Sequence, residues 1–459
     1  MSFGNKKINI KLDKKNTLTE GQKKFLKAFE KGKNIFLTGP GGCGKSYLID
    51  FISEISQRNN LALAKTASTG VAAFNIGGQT IHSFCGIGLG DEDVNFLIKK
   101  VFQNRKASER IRKTDILVID EVSMVKAELF EKVDLIFRAI KSKKHLPFGG
   151  IQVILVADFL QLPPIWKKDE TKKHIFESKI WHECKLKNIY LTELVRQKEG
   201  SDFAEALLKI RVGDIKGLSI LSSRIDAKFP DDGIEPVRIF CKNIDVNKYN
   251  EERLKEIKSP SKFFYCHDTG SPHHIDFFNK NCPALETVEL KVGAQVMLLS
   301  NFDTNQGLVN GSIGVVKSFT TDGPIVGFKN TDLLVTENRW EIKEQVAGVS
   351  GTFNYRVVAS RTQIPLKVCY SVTVHKSQGV TLDRASIDLN EAFGTGIVYV
   401  ALSRVRNLES LSLADFPESK LVVDEKALEF YDKISGKNTL TGDDHYEDED
   451  FIENESYLF

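Results

Sequence analysis

Residues 34–48 read Asn34-Ile35-Phe36-Leu37-Thr38-Gly39-Pro40-Gly41-Gly42-Cys43-Gly44-Lys45-Ser46-Tyr47-Leu48. The first five have the short, apolar character of a buried strand, and Gly39 to Ser46 supply a complete G-x-x-x-x-G-K-S. Leu48, Phe51, Ile52 and Ile55 then recur at the i, i+3, i+4, i+7 spacing of an amphipathic helix. Strand, glycine-rich loop and helix in that order build a phosphate cradle. Backbone N–H groups converge on phosphate oxygens, and the helix N-terminus adds partial positive charge. Lys45 is placed to bridge the β- and γ-phosphates of ATP and Ser46 to ligate Mg²⁺. Gly39, Gly41, Gly42, Cys43, Gly44 and Tyr47 are the further nucleotide contacts expected.

Outward from that stretch, Leu61–Ala67, Ile116–Asp120 and Ile151–Ala157 are also short, apolar and bounded by turn or charge signals. Inner strands of a parallel sheet covered by helices on both faces look like this. A second group follows at Val237–Cys241, Lys367–Val374, Ala385–Leu389 and Ser410–Leu413, so two α/β lobes with parallel sheets are predicted. Two segments break the pattern. Gly86–Lys113 has little apolar content and sets seven basic residues between Lys99 and Lys113 against one acid, Glu109. Residues 290–366 read as short strands around Asn310-Gly311 and Asp322-Gly323, dipeptides that favour tight hairpins. They predict a small β-barrel-like module inserted into the second lobe.

Asp120 and Glu121 close the strand that starts at Ile116. There Asp120 can hold Mg²⁺ through water and Glu121 can polarise the attacking water. Phosphoryl transfer also needs charge neutralised on the γ-phosphate, and a cross-lobe arginine contributes roughly 10³–10⁵ in rate. Arg196 and Arg404 are the candidates, with Gln161, at a strand end, as γ-phosphate sensor. Leu18-Thr19-Glu20-Gly21-Gln22 reads as a helix N-terminus that places Gln22 against an adenine edge. Cys43 stands beside the phosphates at a helix N-terminus, where a thiol pKa falls, so alkylation there would block nucleotide binding. The plainer reading of Cys43 is a small, tolerated filler.

At 459 residues the chain is too long for one core. The net charge of +3 is unevenly spread: Asp443 to Phe459 carries eight acidic side chains and no Lys or Arg. The remainder sets 64 basic against 53 acidic residues, a balance that suits a polyanion partner. The acidic tail reads as a solvated, disordered segment, as a self-competing one, or as a contact for replication or repair proteins. Seven scattered cysteines without a CxxC pair fit an intracellular, reducing compartment. No run of about 18 apolar residues suggests a membrane span. Met1–Lys15 has lysines but no apolar core, unlike a secretory signal or an organelle-targeting peptide.

Longer blocks carry a family likeness. Thr66-Ala67-Ser68-Thr69-Gly70-Val71-Ala72-Ala73 and Gly77-Gly78-Gln79-Thr80-Ile81-His82-Ser83-Phe84 resemble the first DNA-contact motif of the PIF (petite integration frequency) helicases. Phe148–Gln152 leading into Gln161-Leu162-Pro163-Pro164 is similar to that family's third motif, and Leu129–Asp134 sits where its signature helix lies. Gly307–Gly311 and Val374-His375-Lys376-Ser377-Gln378-Gly379 resemble later blocks. The likeness runs from Leu18 to Tyr431. It implies a superfamily 1 DNA helicase moving 5′→3′ on single strands, with two RecA-like P-loop lobes. It also implies a basic wedge insertion at 86–113 and an SH3-like insertion at 290–366. The domains expected are an arm at 1–16, lobe one at 17–195, lobe two at 196–289 and 367–436, and the tail at 437–459. The chain departs from the family pattern at Ala157, usually Gly, at Leu160, usually Phe, and at Cys43, usually Thr or Ala.

A single-strand motor needs phosphate contacts from hydroxyls, amides and cations, and faces for base stacking. Ser68, Thr69, Gly70, His82, Ser83, Phe84 and Pro163 offer these on lobe one; Thr373, His375, Lys376 and Ser377 offer a matching set on lobe two, where Gly379 turns toward the nucleotide. The substrates expected are single-stranded and forked duplex DNA, bound by a monomer. A RecD-like motor, an RNA-directed helicase and an ATP-driven clamp are the alternatives these residues carry. Cys266-His267, His273-His274 and Cys282 fit no common zinc spacing.

Overall fold

The computed structural model describes residues 18–166, 170–197, 201–241, 246–303, 308–329, 331–347, 353–415 and 418–435. The expected arm at 1–16 and acidic tail at 437–459 lie outside the described residues.

Lobe one is built on a six-stranded sheet: β1 (Ile35–Thr38), β2 (Leu63–Ala67), β3 (Gln79–Thr80), β4 (Ile116–Asp120), β5 (Gln152–Val156) and β6 (Lys187–Tyr190). Its order is β3-β2-β4-β5-β1-β6 and every pairing is parallel. Side chains alternate across the sheet as the pleat requires. Phe36, Leu117, Ile119, Val153 and Leu155 enter the core on one face. Ile35, Leu37, Ile116, Val118, Ile154 and Val156 enter the core on the other, under helices α1 (Glu20–Glu30) and α2 (Lys45–Arg58). Leu48, Phe51, Ile52 and Ile55 form the buried stripe of α2, as their spacing predicts. Because all strands point the same way, Gly39, Ser68, Glu121 and Asp158 emerge together along one edge, where α/β sheets bind ligands.

The basic segment 86–113 folds as two helices, Val94–Gln103 and Arg105–Lys113. Few as its apolar groups are, Leu97, Val101, Ala107 and Ile111 are fully buried in the lobe-one core, where the two helices pack on the helix Ala127–Ile140. Lys99, Arg105, Lys106, Arg112 and Lys113 stay on the exposed side.

Lobe two carries a second parallel sheet, ordered Ser371–Thr373, Val237–Phe240, Ala385–Ile387, Leu411–Leu413. The apolar run Lys367–Val374 does not form one strand. Leu366–Val368 joins an antiparallel sheet, and Thr373 caps a short helix, Val374–Ser377. That antiparallel sheet has five strands, ordered 332–334, 324–328, 313–319, 295–298, 366–368, with turns at Asn310-Gly311 and Asp322-Gly323. The β region reaches further back than residue 290. Ser261–Tyr265 pairs with Thr287–Lys291, and Leu254, Val288 and Leu290 share the core of the five-stranded sheet.

The helix Glu425–Ser435 falls in a stretch expected in lobe two, yet it packs on lobe one. Phe430 stacks on Phe176 at 4.4 Å between ring centroids, and the Tyr431 hydroxyl lies 2.6 Å from Thr38 Oγ1 at the end of β1. The aromatic residues of this helix complete the core on that face of the sheet.

Candidate nucleotide cleft and nucleic-acid track

A cleft of about 510 Å³ opens where the two lobes meet. From lobe one and the segment that follows it come Gly41, Gly42, Gly44, Lys45, Ser46, Tyr47, Glu121, Gln161 and Arg196; from lobe two come Gly379, Thr381, Arg404 and Arg406. Cleft-lining residues expected from the sequence are thus brought together across 338 positions of chain, Gly41 to Gly379, and beyond to Arg404.

The P-loop leaves β1 and turns into α2 through Gly44, whose backbone is left-handed (φ 88°). A side chain at Gly42 would strike Arg196 Cβ at 2.6 Å, so the glycine is required by how closely Arg196 approaches. Val195 N–H and Arg196 N–H both donate to Gly42 O, which wraps residues 195–196 over the loop. Lys45 Nζ donates to Gly39 O at 2.8 Å and Pro40 O at 2.9 Å. Gln22 is buried beside Gly44: its Oε1 accepts from Thr19 N–H in a capping box, and its Nε2 faces the loop.

Cys43 corrects the expectation of an activated thiol. It is 2% exposed, and burial pushes its thiol pKa up, a larger effect than the opposing attraction of Lys45. It is a packing residue.

Asp120 ends β4 and accepts the Glu121 N–H at 2.9 Å. Glu121 takes a left-handed backbone (φ 50°), an unfavourable conformation for a non-glycine residue that concentrates at functional sites. Burial raises the pKa of both carboxyls, and for Asp120 the charge of Glu121 adds to it. A divalent cation reverses that balance. Asp120, with Ser46 exposed on the cleft, is a donor set that suits Mg²⁺, which takes one or two protein oxygens and the rest from phosphates and water. Among the described residues no group of three or more His, Cys, Asp or Glu is assembled as a metal cage.

Gln378 of lobe two donates from Nε2 to Glu121 Oε2 at 2.9 Å. Arg404 is 1% exposed and donates to Val400 O, Ser377 O and Ser403 Oγ. Burial first, then the neighbouring Arg196 cation, lowers its pKa. Arg196 Nη1 donates to Ser403 O at 3.2 Å. Two neighbouring cations held away from water repel, and a triphosphate between them would relieve that repulsion. Gln161 is held by Asp158, whose Oδ2 accepts its Nε2 at 3.2 Å. Asp158 is in turn clamped by Arg211, through Nε at 3.0 Å and Nη2 at 2.7 Å. Arg211 ends the helix Asp202–Arg211, which packs in the lobe-two core, so this buried pair crosses between lobes.

The expected nucleic-acid contacts divide. His82 and His375 are half-buried, with pKa lowered by burial, and Lys376 is exposed. Thr69 and Thr373 accept from Ala72 N–H and Lys376 N–H as helix caps. Ser83 donates to Gln79 Oε1, Ser68 Oγ is buried without a partner among the described residues, and Pro163 is partly exposed. Gly70 lies against Asn281 of the helix Pro272–Asn281. Two expectations fail. Phe84 is 5% exposed, stacked on Phe137 with Arg110 over its ring, so no base can reach its face. Ser377 is 1% exposed and its hydroxyl donates to Val374 O, which makes it an internal brace. Gln378 is read from sequence as part of the 375–379 motif expected to couple the cleft to DNA, without its partner Glu121. Arg406, Thr381 and the Asp158–Arg211 pair were not singled out; Arg406 leaves a local signal, a second arginine two positions after Arg404.

Two parallel α/β lobes sharing one P-loop cleft, with a cation of the second lobe closing on the first, define a two-lobed P-loop motor NTPase. A family profile described as PIF1-like helicase matches residues 17–219, and one described as the 2B domain of DNA helicase Pif1 matches 276–319. The ATP-dependent DNA helicase PIF1 of Xenopus laevis is 36% identical over 443 residues, 95% of this chain and 67% of that protein. The human protein of the same name is 36% identical over 439 residues, 94% of this chain and 66% of that one. The chain therefore spans about two thirds of the length of these relatives. It belongs to the PIF1-like helicase family.

Solved structures agree. Pif1 of Candida albicans superposes with a TM-score of 0.70 at 34% identity, over 91% of this chain and 99% of that one. Bacteroides Pif1 in complex with ADP-AlF4 gives 0.79 at 27% identity, over 92% and 97%. The same protein bound to ssDNA gives 0.60 at 27% identity, over 91% and 96%. At equal identity, the arrangement seen here is nearer the DNA-free structures, with unliganded Bacteroides Pif1 at 0.77, than the ssDNA complex.

Proposed function

We propose that the chain hydrolyses ATP with Mg²⁺ to translocate 5′→3′ along single-stranded DNA and to open forked duplexes. One observation carries this: a Cβ on Gly41 would stand 3.6 Å from both Arg404 Nη2 of lobe two and Gln161 Nε2 of lobe one. Groups from both lobes converge on the loop that cradles the terminal phosphate, so hydrolysis changes what holds the lobes together. In this reading Glu121 activates water, and Lys45, Arg196 and Arg404 neutralise phosphate charge. Asp120 and Ser46 hold the Mg²⁺, which supplies charge neutralisation when bound. Gln22, Tyr47 and Gly379 border the nucleotide. His82, His375 and Lys376 contact DNA, and the exposed cations of Lys99–Lys113 meet the duplex at the fork.

The relatives' recorded ligands support the substrate: Bacteroides Pif1 has been solved bound to ssDNA, and a further structure describes unwinding at forked dsDNA by two coordinating Pif1 helicases. Direction rests on family likeness. We further assign a monomer, with the acidic segment 437–459 as a contact for replication or repair proteins. A forked duplex with either a 5′ or a 3′ tail tests the core claim. Strand separation from 5′ tails alone is expected. DNA-stimulated ATP turnover without unwinding on either fork points instead to a clamp.

A further inference from the structure

Tyr399 has no part in the reading above, yet its buried hydroxyl is bonded to Gly41, a residue of the cleft wall. The helix Ile397–Leu402 is buried along its whole length, and Tyr399 is its one residue with a polar side chain. The helix starts at Gly396, where a Cβ would meet Gln161 O at 2.3 Å, so it seats directly on the backbone of Gln161. The tyrosine ring is 3% exposed in the lobe-two core. Its Oη reaches across to lobe one and accepts the Gly41 N–H at 2.8 Å. A Cβ on Gly41 would lie 3.5 Å from this Oη, beside the Arg404 and Gln161 nitrogens described above.

We propose that Tyr399 is a catalytic residue: its hydroxyl donates a hydrogen bond to the terminal phosphate of the bound nucleotide. Having accepted from Gly41, the phenol keeps one proton to donate. The groups that share its position, Arg404 Nη2 and Gln161 Nε2, are themselves donors, bonded here to Ser403 Oγ at 2.7 Å and Asp158 Oδ2 at 3.2 Å. A ligand oxygen entering beside Gly41 would meet all three donors. Burial pushes the phenol pKa upward, so the proton is present across the working pH range. Two arginines already supply charge here. A neutral donor adds a directed bond without a third buried cation. The hydroxyl comes from lobe two and lies against Gly41 of the loop; on this assignment it reaches the terminal phosphate of a triphosphate, and ADP falls short of it. It thereby distinguishes triphosphate from diphosphate.

The assignment rests on the ATP-hydrolysing reading of the cleft, and Tyr399→Phe tests it while keeping the ring and its packing. Three quantities are measured on the full chain: ssDNA-stimulated kcat and KM, fluorescent ADP affinity with and without fluoroaluminate, and the thermal midpoint. The expected result is a kcat lowered roughly 10- to 100-fold, the loss of one hydrogen bond to a charged oxygen. ADP affinity should stay within about twofold, and the tightening caused by fluoroaluminate should shrink by a similar 10- to 100-fold. Wild-type kcat with undiminished tightening would overturn the proposal. So would a loss of ADP affinity equal to the loss of kcat/KM, because the hydroxyl would then only shape the loop at Gly41. If the variant unfolds, Tyr399→Trp, which restores a ring and an N–H donor, is measured in the same way. Absence of ATP turnover in the wild type overturns the cleft reading itself and this assignment with it.

Discussion

Gln378 Nε2 and Glu121 Oε2 meet at 2.9 Å across the cleft, one from each lobe. Within four residues of Gln378, His375 and Lys376 face the surface, and Ser377 O accepts from Arg404. One short segment therefore touches the proposed DNA track, the arginine proposed to neutralise phosphate charge and the carboxylate proposed to activate water. Removing the amide in Gln378→Ala should lower DNA-stimulated turnover by about tenfold, the scale of one bond to a charged group, while ATP affinity holds. A stopped-flow comparison of turnover with and without ssDNA checks it. Equal stimulation in variant and wild type would count against a coupling role.

Glu121→Gln keeps the shape and the neighbouring bonds but cannot take a proton. Turnover should fall by roughly 10²–10⁴ while ATP binding persists. Isothermal titration with ATP and Mg²⁺, beside a phosphate-release assay, reads both; near wild-type hydrolysis refutes the assigned base.

Asp158 and Arg211 form a fully buried, two-bond ion pair between lobes. Arg211→Leu leaves a lone buried carboxylate and should cost about 3–5 kcal/mol at neutral pH. Arg211 holds Asp158 below the usual carboxylate range. Its contribution is therefore complete above the unfolded value near ~4 and is lost as pH falls through the lower folded value. In the variant the same carboxyl is pushed up by burial and escapes its penalty by taking a proton. The stability gap should consequently be widest near neutrality and narrow in acid. Urea unfolding at several pH values measures it, and a gap independent of pH rejects the pair as its cause.

Cys43 should resist alkylation in the native chain and react freely in denaturant, because its thiol is enclosed and its pKa is raised. Mass spectrometry after brief maleimide treatment gives the answer. Complete native labelling would mean the P-loop opens far more than its packing implies.

Much of this was legible before any coordinates. The P-loop lies in one short block whose chemistry is local, so its spacing announces it; the β4 carboxylates gain meaning only from following it, and Arg196 and Arg404 taken singly read as surface cations. The strands β1, β4 and β5 were readable because burial on both faces leaves continuous apolar runs. Phe84 and Ser377 show the limit. Both sit in motifs of polar and aromatic residues that look suited to DNA, but Phe84 is turned inward by Phe137, a distant contact that no local pattern encodes, and the Ser377 hydroxyl is taken up by Val374 O three residues before it. Tyr399 was hidden for the same reason. In Ile397–Leu402 it looks like one more core residue, and only the opposing Gly41 N–H shows what its hydroxyl does. The Asp158–Arg211 pair joins residues 53 positions apart with no repeat or spacing to link them.

The helix Glu425–Ser435 lays Phe430 and Tyr431 over Phe36, Phe159, Phe176 and Trp181, all residues translated far earlier. A ribosome that has released only the first two hundred residues has thus delivered a sheet with one flank still uncovered. Residues 18–195 expressed by themselves should be sticky and ill-formed. Supplying the last helix as a separate peptide should restore them.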